Sequence, residues 1–169
     1  MKNLTPEIII TRRLTINRIT TNDCDLVMEL FNSEGWLKYI GDRKIHSLKD
    51  AKEFIEKTGL NNDAAIWTIA DVNHPGRKYG ILTFIKRAFL PFPDLGYALL
   101  PGAMGMGFAH EATIAFVDEL RTNKQFEQIM AITLPENKSS VKLLGKLDFI
   151  FEKVVDENKE VVHIYKLLL

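Results

Sequence analysis

Polar residues alternate with apolar Leu14 and Ile16 from Arg12 to Ile19, the period of a half-buried strand. Thr21 to Asp23 supplies capping residues, and Leu26, Val27, Leu30 and Phe31 then recur at helical spacing. Glu34 to His46, rich in glycine, tryptophan and charge, predicts a loop, after which Ser47 and Asp50 open a second helix through Ala51, Phe54 and Ile55. Ala65 to Ala70 predicts a strand, Asn73-His74-Pro75-Gly76 a turn, and Tyr79 to Ile85 the returning strand of a hairpin. Pro91 and Pro93 interrupt the chain before a short strand over Asp94–Leu100. A helix from about Phe108 to Arg121 carries Ala112, Ala115, Phe116 and Leu120 on one face. Gln128 to Thr133 reads as a strand and Asn137 to Leu147 as a helix. Ile150–Val155 and Val161–Leu168 read as final strands around a turn at Asp156–Lys159.

The order β-α-α-β-β-β-α-β-α-β-β mixes hairpins with crossovers, which predicts an α/β (α+β) sheet holding both parallel and antiparallel pairs. The unit strand 94–100, helix 108–121, strand 128–133 is expected to be a right-handed crossover between parallel strands. A length of 169 residues suits one buried core, so residues 1–169 are read as a single domain. Apolar residues make up 46% and charged ones 26%, as in an ordinary water-soluble domain. Lys+Arg and Asp+Glu both number 22, so no net field points to nucleic acid or an anionic membrane. Met1 to Glu7 lacks the basic-then-apolar layout of a signal peptide, so a cytoplasmic location is expected. The lone Cys24 excludes an intrachain disulfide, and His46, His74 and His163 show no metal-ligand spacing, so no metal is expected. A monomer or a homodimer is expected, the apolar strand Val161–Leu168 being able to pack across an interface.

Between Leu100 and Phe108 lies Gly102-Ala103-Met104-Gly105-Met106-Gly107. The first turn of a helix offers unpaired N–H groups and the positive end of the helix dipole, and glycine permits positive φ and close backbone approach. The segment therefore suits a phosphate, although three glycines also occur in a simple tight turn. It lacks the Gly-Lys-Ser/Thr ending of a P-loop, and it follows too many elements to be a dinucleotide-fold turn.

Asp94-Leu95-Gly96-Tyr97-Ala98-Leu99-Leu100-Pro101 followed by Gly105-Met106-Gly107-Phe108-Ala109-His110-Glu111-Ala112 resembles the cofactor motif of the GNAT N-acetyltransferases. The likeness is greatest to the branch related to ribosomal-protein N-terminal acetyltransferases. Asn137-Lys138-Ser139-Ser140 with Leu147-Asp148-Phe149 is similar to that branch's Asn-x-x-Ser and Leu-Gly-Phe. Thr11-Arg12-Arg13-Leu14 resembles its first strand, and Ile40-Gly41-Asp42-Arg43 its acceptor-side loop. The resemblance implies a mixed, mostly antiparallel sheet of about seven strands with about four helices, and a central parallel pair splayed for acetyl-CoA. It implies that backbone groups of Leu99 and Leu100 pair with the pantetheine arm. N–H groups of Met104, Gly105, Met106, Gly107, Phe108 and Ala109 would hold the pyrophosphate, and Asn137 would contact the pantetheine. A primary amine, on a protein N-terminus or a small molecule, would attack the thioester directly.

Several positions depart from the family pattern. Gly102 stands where Arg or Gln is common, Met104 where Trp is frequent, and Leu144 where many members carry a tyrosine acid. Ser140 is left as the candidate thiolate acid, and a capping role is the alternative. Asp94 is the candidate general base, or a water-facing structural carboxylate. Glu111 is expected to orient the loop. Trp36, Tyr39 and Arg43 are candidate acceptor-binding residues, with packing or surface pairing as the alternative. Leu144 and Gly102 leave open a second reading: a degenerate GNAT domain that binds acyl-CoA as a sensor or scaffold.

Overall fold

The computed structural model describes residues 5–157 and 160–169. In chain order the elements are β1 (Ile8–Ile10), β2 (Leu14–Arg18), α1 (Cys24–Phe31), α2 (Glu34–Tyr39), α3 (Leu48–Leu60), β3 (Ala64–Asp71) and β4 (Lys78–Ile85). They continue with β5 (Asp94–Leu99), α4 (Phe108–Asn123), β6 (Gln128–Thr133), α5 (Lys138–Lys146), β7 (Ile150–Glu157) and β8 (Glu160–Leu168). All eight strands form one sheet in the order β1-β2-β3-β4-β5-β6-β8-β7. Every neighbouring pair is antiparallel except β5 and β6, which are parallel.

Two elements exceed the sequence expectation. Glu34–Tyr39, expected as loop, is helical: Ser33 caps it by accepting from Trp36 N, and buried Trp36 stacks on Phe31 with ring centroids 3.7 Å apart. Its single turn is too short to show a helical period. Ile8–Ile10 pairs with β2 as a short edge strand whose outer residues Ile8 and Ile10 are exposed. The turn expected at 156–159 falls partly on Asn158 and Lys159, which lie outside the described residues; Asp156 and Glu157 belong to β7.

Strand alternation decides which face each residue serves. On β3, Ala65, Trp67 and Ile69 face a core shared with Ala112, Phe116 and Leu120 of α4, while Ile66 faces a second core shared with α1 and α3. Phe116 meets Trp67 edge-on at 4.7 Å between centroids, and both rings are inaccessible to water. Each contributes about 1.5–3 kcal/mol by burial. Helices thus cover both faces of the sheet and hold its centre rigid. The feature that positions the site is a gap: β5 and β6 keep one registered pair, Asp94 with Met130, and separate beyond it. No described helix is long and apolar enough to cross a membrane.

Candidate active site

β5 leads from the gap into a 3-10 turn at Pro101–Ala103 and then into the glycine loop. Gly105 and Gly107 both have positive φ, 76° and 81°, where glycine carries no steric penalty. Gly107 N-caps α4 without a side chain. Backbone N–H groups from Gly105 to His110 have no hydrogen-bond partner among the described residues. They form a run of donors at the positive end of a sixteen-residue helix, an arrangement that suits an anion. The donors begin at Gly105 rather than at Met104, whose N–H is engaged by Pro101 O at 3.3 Å. Gly102 lies in the 3-10 turn with open space around it. Phe108 turns its ring into the core against Tyr79.

The gap itself presents Leu99. Leu100, expected beside it, is fully committed elsewhere: its N–H donates to Tyr79 O at 2.8 Å and its carbonyl accepts from Ala103 N at 2.9 Å. Antiparallel pairing alternates which residues turn toward a neighbour, so Leu100 points at β4 while Leu99 points into the gap. The Leu100 N–H is therefore not free to pair with a ligand strand, unlike the sequence expectation that both Leu99 and Leu100 offer their backbone.

Two cavities meet at the gap. The larger, about 1340 Å³, runs from α2 past Leu99, Met104, Gly105, Gly107 and Ala109 to Asn137 and Ser140 on α5. The smaller, about 430 Å³, lies among Arg43, Phe54, Thr83, Arg87, Asp94 and Val162. Trp36, Tyr39, Tyr97, Ala98, Asn137 and Ser140 border both. This junction unites residues far apart in the chain. Asn137 caps α5 through Oδ1, which accepts from Ser140 N at 3.1 Å and from Ser139 Oγ at 2.9 Å. Ser140 Oγ lies 3.1 Å from Tyr97 Oη, which also donates to Ser140 O at 3.3 Å. Burial pushes the Tyr97 phenol up to about 12, against the opposing effect of its bond to Ser140, so it keeps its proton at neutral pH.

Tyr97 is the residue that sequence reasoning passed over. It stands inside the β5 motif, and only the gap reveals that its hydroxyl reaches α5. Leu144 is buried in the core. Asp94 does not face water. It is 3% exposed, and Arg87 donates to it from Nε at 2.5 Å and from Nη2 at 3.5 Å. Burial pushes its carboxyl up, and the guanidinium offsets this only in part. Glu111, in contrast, reaches back to β2 and accepts from Thr11 and Arg13. Cys24 is half-buried, with its thiol pushed up by burial and by Asp25 and Asp23, so it is a poor nucleophile.

The segment that builds the glycine loop, the splayed parallel pair and most of both cavities also matches a family model. Residues 13–150 fit the model described as Acetyltransferase (GNAT) domain. The chain belongs to the GNAT acetyltransferases. An N-acetyltransferase of Bacillus licheniformis, p20, itself uncharacterized, is 27% identical over 152 residues, covering 85% of this chain and 82% of that one. Among solved structures, the microcin C7 self-immunity acetyltransferase MccE, in complex with acetyl-CoA and AMP, superposes with a TM-score of 0.83. It is 19% identical, with full coverage of both chains. The Salmonella typhimurium acetyltransferase that modifies the N-terminal serine of ribosomal protein L7/L12 has a TM-score of 0.81. It is 15% identical, covering 96% of this chain and 99% of that one. This GNAT protein is an N-acetyltransferase with acetyl-CoA as its cosubstrate.

Proposed function

We propose that this GNAT protein transfers the acetyl group to a primary amine, on a protein N-terminus or a small molecule, by direct attack on the thioester in the gap between β5 and β6. The observation that carries the reading is the run of unpartnered N–H groups from Gly105 to His110, which opens on the same cavity as the Tyr97–Ser140 pair. Gly105 to Ala109 hold the pyrophosphate, Leu99 pairs with the pantetheine arm, and Asn137 offers its carboxamide N–H groups to the same arm. The smaller cavity takes the acceptor, with Trp36 and Tyr39 as walls and Arg43 at its rim. Its volume lies in the range of small-ligand sites. The enzyme acts in the cytoplasm.

Ser140 holds a proton for the departing thiolate. When Tyr97 turns its single proton from Ser140 O to Ser140 Oγ, the serine's own proton is left to point at the sulfur. Tyr97 thereby supports from β5 the step for which many relatives use a tyrosine at the place of Leu144. Asp94, with both oxygens held by Arg87, anchors the acceptor cavity rather than serving as base. The amine's proton leaves to water through that cavity. Asp94→Asn then preserves the pH profile of kcat; loss of its acid limb assigns the base role to Asp94 after all.

Thermal-shift titration with acetyl-CoA is expected to raise Tm, because a ligand bound to the native state stabilises it. Absence of a shift at saturation refutes cofactor binding and both functional readings. Thiol release over a panel of amines and N-terminal peptides separates the enzyme from a non-catalytic acyl-CoA sensor, the reading that Leu144 favours. Ser140→Ala is expected to lower kcat by about 100-fold, with the KM for acetyl-CoA little changed. Tyr97→Phe is expected to lower kcat by less, and the double variant to fall short of the product of the two effects.

A further inference from the structure

Arg13, at the threshold of β2 and on the wall of the larger cavity, is tied to the glycine loop. Glu111, in the first turn of α4, accepts from Thr11 Oγ1 at 2.6 Å, from Arg13 N at 3.0 Å and from Arg13 Nε at 2.6 Å. Burial pushes the Glu111 carboxyl up, but the bonds from Thr11 and Arg13 outweigh it and hold the group below its usual range. Arg13 Nη1 donates to Met106 O at 3.0 Å, and the guanidinium lies over the Phe108 ring, 4.7 Å from its centroid. Met106 O belongs to the peptide group whose N–H is that of Gly107. A cation on the carbonyl side polarises a peptide and makes its N–H a stronger donor. The Gly107 N–H is one of the free donors of the cradle. Glu111 pairs with the guanidinium through Nε, and the bond from Nη1 to Met106 O carries the influence of Arg13 to this peptide.

We propose that Arg13 is a positioning residue for the cofactor's pyrophosphate. Acting through the Met106–Gly107 peptide, it fixes the loop, strengthens the Gly107 N–H, and replaces from β2 the basic side chain that the loop lacks at Gly102. The proposal rests on the reading that Gly105 to Ala109 hold the pyrophosphate. Gly102 has nothing within 4 Å of where a side chain would start and no positive φ, so an arginine can be built there.

The experiment measures calorimetric dissociation constants for CoA and for S-acetylpantetheine, which lacks the pyrophosphate. It compares the wild type, Arg13→Gln, Arg13→Lys and the double variant Arg13→Gln/Gly102→Arg. The wild type is expected to bind CoA far more tightly than S-acetylpantetheine. Arg13→Gln is expected to weaken CoA binding about tenfold while leaving S-acetylpantetheine unchanged, and to move the Gly107 amide proton upfield in the free protein. The added arginine is expected to recover most of the CoA affinity. Arg13→Lys, which keeps the charge but cannot reach Glu111 and Met106 O together, gives the same reading if the glutamine variant does not fold. Unchanged CoA affinity in the folded variants, or equal loss for both ligands, overturns the role of Arg13. A wild type that does not prefer CoA overturns the cradle itself, a different and recognisable failure.

Discussion

The two cavities that meet at the β5–β6 gap are built from different materials. The proposed cofactor side offers backbone donors: N–H groups from Gly105 to His110, released by two glycines at positive φ and aligned by one helix. The proposed acceptor side is lined by side chains drawn from α2, α3, β4, β5, β6 and the loops between them. Each side contains one arginine–carboxylate pair, and the two carboxyls shift in opposite directions. Glu111 is open enough to water that its bonds to Thr11 and Arg13 outweigh its desolvation, and its carboxyl is lowered. Asp94 is sealed in, and burial raises it despite Arg87. The same pair of residue types therefore stabilises a charge on one side and barely sustains it on the other.

Breaking the acceptor-side pair has the largest expected effect. Arg87→Met leaves a buried carboxylate without its partner and is expected to cost about 3 kcal/mol at pH 7, read by denaturant unfolding. A loss below about 0.5 kcal/mol means that water or another group already compensates Asp94. On the cofactor side, Gly107→Val meets both a left-handed φ of 81° and Arg13 Nη2 at 3.4 Å from the new Cβ. Its affinity for CoA is expected to fall roughly 100-fold, about 2.7 kcal/mol. Unaltered affinity in a folded variant removes the loop from the cofactor site.

The pH dependence of Tm tests the opposite shifts directly. A lowered folded pKa at Glu111 gives stability that is full above the unfolded value, about 4.3, and is lost as pH falls through the folded value. A raised folded pKa at Asp94 means that the native state holds its proton longer than the unfolded chain, so stability falls as pH rises from about 3.9 through the folded value. Glu111→Gln is expected to flatten the acid limb, and Asp94→Asn to remove the decline on its alkaline side. Identical curves for both variants contradict the contrast.

The smallest effect concerns the turn after α5. Asp148, which holds φ at 62°, is a non-glycine residue in the left-handed region. Asp148→Gly is expected to change stability by no more than about 1 kcal/mol, with strain relief set against the extra freedom of unfolded glycine. Its CoA affinity is expected to match the wild type in calorimetry, because Asp148 borders neither cavity.

Local chemistry made much of this protein legible from sequence. Alternation placed Leu14 and Ile16 in a strand, and helical spacing placed Ala112, Phe116 and Leu120 against the sheet. The glycines marked where a strand turns into a helix with free N–H groups. All of these depend on neighbours within a few residues, and so the order of elements, apart from the short β1 and α2, and the position of the glycine turn could be read directly. Tertiary structure alone decided which groups the cradle offers and what surrounds it. Leu100 looked equivalent to Leu99 until pairing with β4 committed its backbone, and Met104 until the 3-10 turn engaged its N–H. Tyr97 became a partner of Ser140, and Arg13 of Glu111 and Met106, only when residues 43, 98 and 93 positions apart were folded together. Asp94 changed from a strand-end carboxylate into a buried ion-pair partner for the same reason: burial belongs to the whole fold, and it sets both the reach and the protonation of a side chain.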